Sequence, residues 1–275
     1  MVAKATVPTR AYSIGDLDRF RTVQRYAYNV AAKAEASLRV GMTERELAEE
    51  LNDVQRGDGV TQFFHEHFVW FGDRTDLEEH WIGSATNPAS FEMLPGSVFS
   101  PTAATLEENE PLILDIAPII NGYASDVGYS CIVGQDDVFD QLVAGLEPVR
   151  AFLQERVRAG DTLKRIYHAL DAIIADSGWT SVHRCYPLGA LGHLLMRFED
   201  DPGAGERAGS SVWNDGPEAD FPPTPGVWAV EPHIGKNGVG AKWEEILVVT
   251  PDDAFWLDEN LPHHRRWAGE SPLPP

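Results

Sequence analysis

Cysteine is scarce in this chain: only Cys131 and Cys185 occur. Two thiols form no disulfide framework, and such scarcity fits a reducing compartment. Basic residues are also few. Lys and Arg total 22 against 43 Asp and Glu, so the formal net charge is -21. That balance speaks against nucleic acid and anionic membranes as partners, because both attract basic surfaces. Long apolar runs are missing as well. No stretch of about 18 apolar residues occurs, and MVAKATVPTR lacks the apolar core of a secretory signal. The expectation is a soluble, cytoplasmic protein.

What is present suffices for a packed core. Apolar residues make up 43% and aromatics 10% of 275 residues, enough for one large domain or two small ones. Residues 1–15 read as a loose arm. From 16 to 40, Leu17, Phe20, Val23, Tyr26, Ala27, Val30, Ala34 and Leu38 recur at helical steps. Gly41 can end that helix, and Thr43 with Glu46 can form the capping box of the next, ERELAEELNDVQR. TQFFHEHFVWF (61–71) reads as a strand whose His65 and His67 share a face. The stretch 72–110 is irregular and long for a plain loop.

The order of helix, glycine and capped helix recurs further on. Arg39-Val40-Gly41-Met42-Thr43 is echoed by Arg158-Ala159-Gly160-Asp161-Thr162, and Gly59 by Gly178. Two α+β halves from a duplication explain this, as does chance likeness of two capped helices. Strands are expected at 180–184, 226–234 and 243–250. The segment after 250 reads as a surface tail, with His263-His264-Arg265-Arg266 as a solvated turn.

The centre of the chain is PLILDIAPIINGYASDVGYSCIVG (111–134). Asn121-Gly122 is suited to a two-residue type I′ hairpin turn. Ile120 then pairs with Tyr123, and Ala117 sits opposite Asp126. Asp115 lies on the same face as Ala117, so Asp115 and Asp126 are diagonal neighbours about 7 Å apart at Cβ. Two carboxylates on an apolar face need a cation or protons between them, unless one lies at a strand end in water. Glu231 and Glu244 add two more acids in strand settings, and His193 lies in a Gly-rich stretch. Oxygen-rich sites of this kind suit Mn²⁺, Fe²⁺, Co²⁺ or Mg²⁺.

These residues resemble the pita-bread metallopeptidases: methionine aminopeptidase, aminopeptidase P, prolidase and the metal-free creatinase. Asp115, Gly122-Tyr123 and Ser125-Asp126 match the family's hairpin in order and spacing. Val230-Glu231-Pro232 matches its Glu-Pro strand, Glu244 before Thr250 its last glutamate, and Gly41 to Glu44 its helix cap. The resemblance implies an α+β pita-bread fold, with two pseudo-twofold-related halves around a curved antiparallel sheet. It places a single catalytic domain at 16–250, between the arm (1–15) and a tail (251–275). It implies one or two divalent ions (Mn²⁺, Fe²⁺ or Co²⁺, with Zn²⁺ the further option) on Asp115, Asp126, Glu231 and Glu244. His193 and Glu231 take catalytic roles. The activity implied is metal-dependent hydrolysis of a peptide-like C–N bond in a small molecule or short peptide, by a homodimer.

The departures from the family pattern lie at specific positions. The family's metal-binding His falls on Tyr186, with His183 one register slip away. Its Thr-Arg-Thr reads Gly128-Tyr129-Ser130, an upstream His falls near Ser97, and the glycine after Glu-Pro is His233. Tyr186, His233 and His65 are therefore candidates for substrate binding or for a substitute ligand. A creatinase-like or other non-peptidase enzyme and a non-catalytic binding module are the competing readings. Closure over the substrate is expected from 72–110 or from a partner subunit.

Overall fold

The computed structural model describes residues 11–77, 98–197 and 212–272. Its first half opens with α1 (Ile14–Ser37) and α2 (Glu44–Gly57). It continues through strands β1 (Gln62–Phe63), β2 (Phe68–Phe71), β3 (Glu110–Ile116), β4 (Pro118–Ile120), β5 (Tyr123–Ala124) and β6 (Val127–Val133). The second half opens with α3 (Asp137–Arg158) and α4 (Leu163–Asp176). It then runs through β7 (Thr180–Ser181), β8 (Gly192–Leu195), β9 (Val212–Trp213), β10 (Gly226–Val230), β11 (His233–Lys236), β12 (Val239–Lys242), β13 (Glu245–Val249) and β14 (Ala254–Trp256), and ends in α5 (Pro262–Trp267).

The helix starts follow from capping. Ser13 caps α1 with Asp16 reaching back to it, and Thr43 with Glu46 does the same for α2. Thr162 caps α4 through the backbone N–H of Arg165. The echo between the halves is visible in the backbone. Gly41 and Gly160 have φ of +88° and +76°, and Gly59 and Gly178 have +84° and +72°. A side chain would strain each of these left-handed positions. Each half thus lays a helix pair over one side of antiparallel strands. Ala27, Val30, Ala31, Leu47 and Leu51 pack on Val69, Leu112, Leu114 and Val127 in the first half. Leu142, Leu146, Leu153, Ile166 and Leu170 pack on Trp213, Trp228, Val230 and Ile234 in the second.

The hairpin has the register expected of it. Ile120 faces Tyr123, Asp115 faces Gly128, and Asn121 and Gly122 have φ of +52° and +82°. All strand pairs are antiparallel: β2-β3-β6, β1-β4-β5, β7-β11-β12, and the order β14-β13-β10-β8-β9. The halves meet along a seam. A single bridge joins Tyr129 to Trp243, and from α1 the Gln24 side-chain oxygen accepts the Ile246 N–H at 2.7 Å.

Several expectations change. The stretch 61–71 is two short strands separated by an irregular step, so His65 and His67 part company. The strand at 180–184 stops at Ser181 and becomes a 3-10 turn, Val182–Cys185. The strand at 226–234 breaks at Glu231-Pro232, where proline has no N–H for the ladder. Beyond 250 the chain adds β14 and α5 with Trp256, Leu257 and Leu261 buried. His263-His264-Arg265-Arg266 is a helix rather than a solvated turn. His263 and His264 contact Glu245 at 2.8 and 2.9 Å, and Arg266 pairs with Glu35 at 2.9 Å. Ser97 and most of 72–110 lie outside the described residues.

Candidate functional site

Asp115 is the last residue but one of β3, and Asp126 lies in the gap between β5 and β6. The first half adds His65, from the irregular step after β1. The second half adds His193 from β8, Glu231 at the break after β10, and Glu244 just before β13. Alternation separates the two adjacent glutamates: Glu244 turns into the seam, while Glu245 turns away to Arg150, His263 and His264. All four acids of the expected constellation are buried, and with His65 and His193 they form one cluster at the seam.

Among three of these acids, Asp115, Glu231 and Glu244, stands Lys242, which the sequence reading did not include. Its ammonium lies 2.7 Å from Asp115 Oδ2, 3.0 Å from Glu231 Oε2 and 3.1 Å from Glu244 Oε2. The signal was present in Lys242-Trp243-Glu244: a lysine two residues ahead of a buried glutamate, at the end of an apolar strand, shares its face. The imidazoles hold the other oxygens. His65 Nε2 is 3.0 Å from Asp126 Oδ1 and 3.3 Å from Asp115 Oδ1. His193 Nε2 is 3.3 Å from Asp126 Oδ2 and 3.8 Å from Glu244 Oε1.

Burial and mutual charge set the protonation states. Burial alone would lower the Lys242 pKa, but Asp115 and Glu244 outweigh it and hold the ammonium well above its usual range. Burial would likewise discharge His65, yet Asp126 and Asp115 keep it charged well above the usual histidine range. Asp126 is held well below the carboxylate range by His65 and His193 despite its burial. Glu244 moves the other way: burial first, then Asp126 and Glu231, raise it well above the ordinary value. Glu231 is also raised, chiefly by burial.

The remaining expected residues are placed as follows. The Tyr186 hydroxyl donates to His233 Nδ1 at 2.7 Å, and burial raises its pKa well above the usual value. His233 Nε2 donates to the Thr75 carbonyl at 2.7 Å, so both of its nitrogens are engaged away from the acids. Tyr186 presents its ring instead, centred 5.0 Å from the Lys242 ammonium. His183 lies outside the site, between the His233 carbonyl and Asp171. Sequence reasoning also missed Phe64. Its ring stacks on His193 at 5.4 Å and is 39% exposed, an apolar surface beside the acids.

A divalent ion fits one part of this arrangement. Asp126, His193 and Glu244 offer ligand atoms within 4.8 Å of one another. Glu244 Oε1 is buried and has no hydrogen-bond partner among the described residues. Carboxylates with an imidazole suit Mn²⁺, Fe²⁺, Co²⁺ or Zn²⁺. Two further such groups share the site: Asp115 with Glu231 and Glu244 already surrounds the Lys242 ammonium, and His65 with Asp115 and Asp126 is already drawn together by contacts of the His65 ring with both aspartates.

Comparison with known proteins places the chain in a family. The family model for metallopeptidase family M24 matches residues 18–251. No curated protein matches the sequence. Among solved structures, the chain is similar to an X-Pro aminopeptidase from Thermotoga maritima, with a TM-score of 0.62 at 18% identity over 90% of this chain and 61% of that one. It is similar to a dipeptidase from Mycobacterium ulcerans, with a TM-score of 0.62 at 20% identity over 90% and 58%. It also resembles a methionine aminopeptidase from Rickettsia prowazekii, with a TM-score of 0.60 at 13% identity over 91% of this chain and 99% of that one. The chain thus spans about three fifths of the first two and nearly all of the third. These likenesses show the α+β pita-bread fold. The family match extends over the whole stretch that carries the acids and His193, and the chain belongs to metallopeptidase family M24.

Proposed function

We propose that the chain hydrolyses a peptide-like C–N bond in a small substrate, in the manner of an aminopeptidase or prolidase. The observation that carries this reading is that Asp115, Asp126, Glu231, Glu244 and His193 lie in one buried cluster of overlapping ligand groups at the seam. The names of the similar solved structures, an X-Pro aminopeptidase and a dipeptidase, support the same substrate class.

Asp126, Glu244 and His193 would hold a divalent ion, with Mn²⁺, Fe²⁺ or Co²⁺ favoured by the ligand set; bound there, it would supply Lewis acidity. Glu231 accepts a proton from the attacking water. Its carboxyl is raised toward the range in which a general base works, and one of its oxygens is steadied by Lys242 at 3.0 Å. The His193 ring is fixed for its place in this ligand set by stacking on Phe64. Phe64 gives the substrate an apolar contact. The two free cysteines and the acidic balance support a cytoplasmic location, and a homodimer would complete closure over the site.

The test is cleavage of Xaa-Pro and Met-Xaa dipeptides by the purified chain with Mn²⁺, then with a chelator. Cleavage of either class that stops on chelation is the expected result. A chain that takes up metal but cleaves neither would turn the assignment to the second reading, a creatinase-like or other non-peptidase reaction. Lys242 and Tyr186 favour that alternative, since both change the charge and shape of the site. Retention of the Asp126, His193 and Glu244 ligand group weighs against a binding module, which has no use for one.

A further inference from the structure

We infer that Lys242 is a resident cation occupying the place of one metal ion, so that the centre binds a single divalent ion. This deepens the metal-dependent reading above, and its test needs no turnover.

Three features hold the lysine where it is. Its ammonium is shared among Asp115, Glu231 and Glu244 at 2.7, 3.0 and 3.1 Å, the same three carboxylates that form one of the ligand groups. Its stem runs against the bare Cα of Gly128. A Cβ at Gly128 would lie 2.2 Å from Lys242 Cε, 3.0 Å from Cδ and 3.1 Å from Cγ. Its backbone is clamped in both directions by Ser130, whose Oγ accepts the Lys242 N–H at 2.8 Å and donates to the Lys242 carbonyl at 2.8 Å. The Tyr186 ring, held by His233 and Thr75, closes over the ammonium from another side. The lysine side chain is fully buried.

Charge leads to the same count. The ammonium neutralises one of four clustered carboxylates, and one dication between Asp126, His193 and Glu244 leaves the group near balance. A second dication would have to enter beside a fixed positive charge, at a separation where repulsion in a buried site is strong. Each oxygen that accepts the N⁺–H has one lone-pair direction already taken, which leaves less for an incoming ion.

The experiment counts ions. The full chain is stripped with chelator, titrated with Mn²⁺, and bound metal is measured per chain for the wild type and for Lys242→Ala. One ion per wild-type chain and two per Lys242→Ala chain is the expected result. Two ions in the wild type overturn the inference while leaving the metal-dependent reading intact; none overturns both. A Lys242→Ala chain that still takes only one ion shows that the lysine does not fill a metal position, and also overturns it. If the variant does not fold, the wild-type count decides alone.

Discussion

A methyl group on Gly128 would sit 2.2 Å from Cε of Lys242. Gly128 lies opposite Asp115 in the β3–β6 ladder, so the residue that makes room for the lysine is paired with one of the acids the lysine holds. Gly128→Ala should therefore destabilise the chain by about 1–3 kcal/mol, as overpacked sites do. In a double-mutant cycle with Lys242→Ala, measured by denaturant unfolding, the two costs should fall short of additivity, because the alanine no longer meets the stem.

Removing the ammonium while keeping volume should cost more. Lys242→Met leaves Asp115, Glu231 and Glu244 facing one another in a buried place. The expected loss is about 3–5 kcal/mol, the range for breaking a buried ion pair. Divalent metal should recover much of it by mass action, raising the thermal midpoint of the variant more than that of the wild type. Equal shifts in the two proteins would count against the charge argument.

Asp126→Asn removes the carboxylate shared by His65 and His193, at 3.0 and 3.3 Å. Hydrolysis and Mn²⁺ affinity should each fall by more than about a hundredfold, since loss of outer-shell partners alone costs 10–100-fold. Peptide turnover and metal titration read the two effects separately.

The pH dependence of stability should carry the mark of His67. This ring is buried, Gln55 Nε2 donates to its Nε2 at 2.7 Å, and burial, helped by the nearby His65, pushes its pKa down to about 4 from 6.5. The unfolded chain takes the proton at higher pH than the folded one does. The contribution is therefore complete above about pH 6.5 and is lost as pH falls toward about 4. Thermal midpoints measured across that window should drop more steeply in the wild type than in His67→Gln.

Local chemistry made much of this fold legible. Asn121-Gly122 fixed the hairpin register, and with it the diagonal approach of Asp115 and Asp126. Thr43 with Glu46, and Gly41 with Gly160, marked the caps and the echo between halves because each needs only its neighbours. What stayed hidden depends on residues far apart in sequence. His65 reaches Asp126 only because the strand breaks after Phe63, and neither propensity nor alternation announces a break. Tyr186, Gly128 and His233 read as separate departures; the structure shows Tyr186 and Gly128 beside Lys242, and His233 behind Tyr186. Lys242 itself was passed over because lysines are seldom buried, and only the pairing across the seam reveals what surrounds it.

The seam has a consequence for the order of events in maturation. Asp115 and Asp126 come from the first half with His65, and Glu231 and Glu244 come from the second with Lys242. Each half thus brings its own counter-charge to the docking step, and neither set of acids waits on an ion from solution. Assembly of the halves should therefore not wait on metal supply, with the acids standing in register before an ion binds.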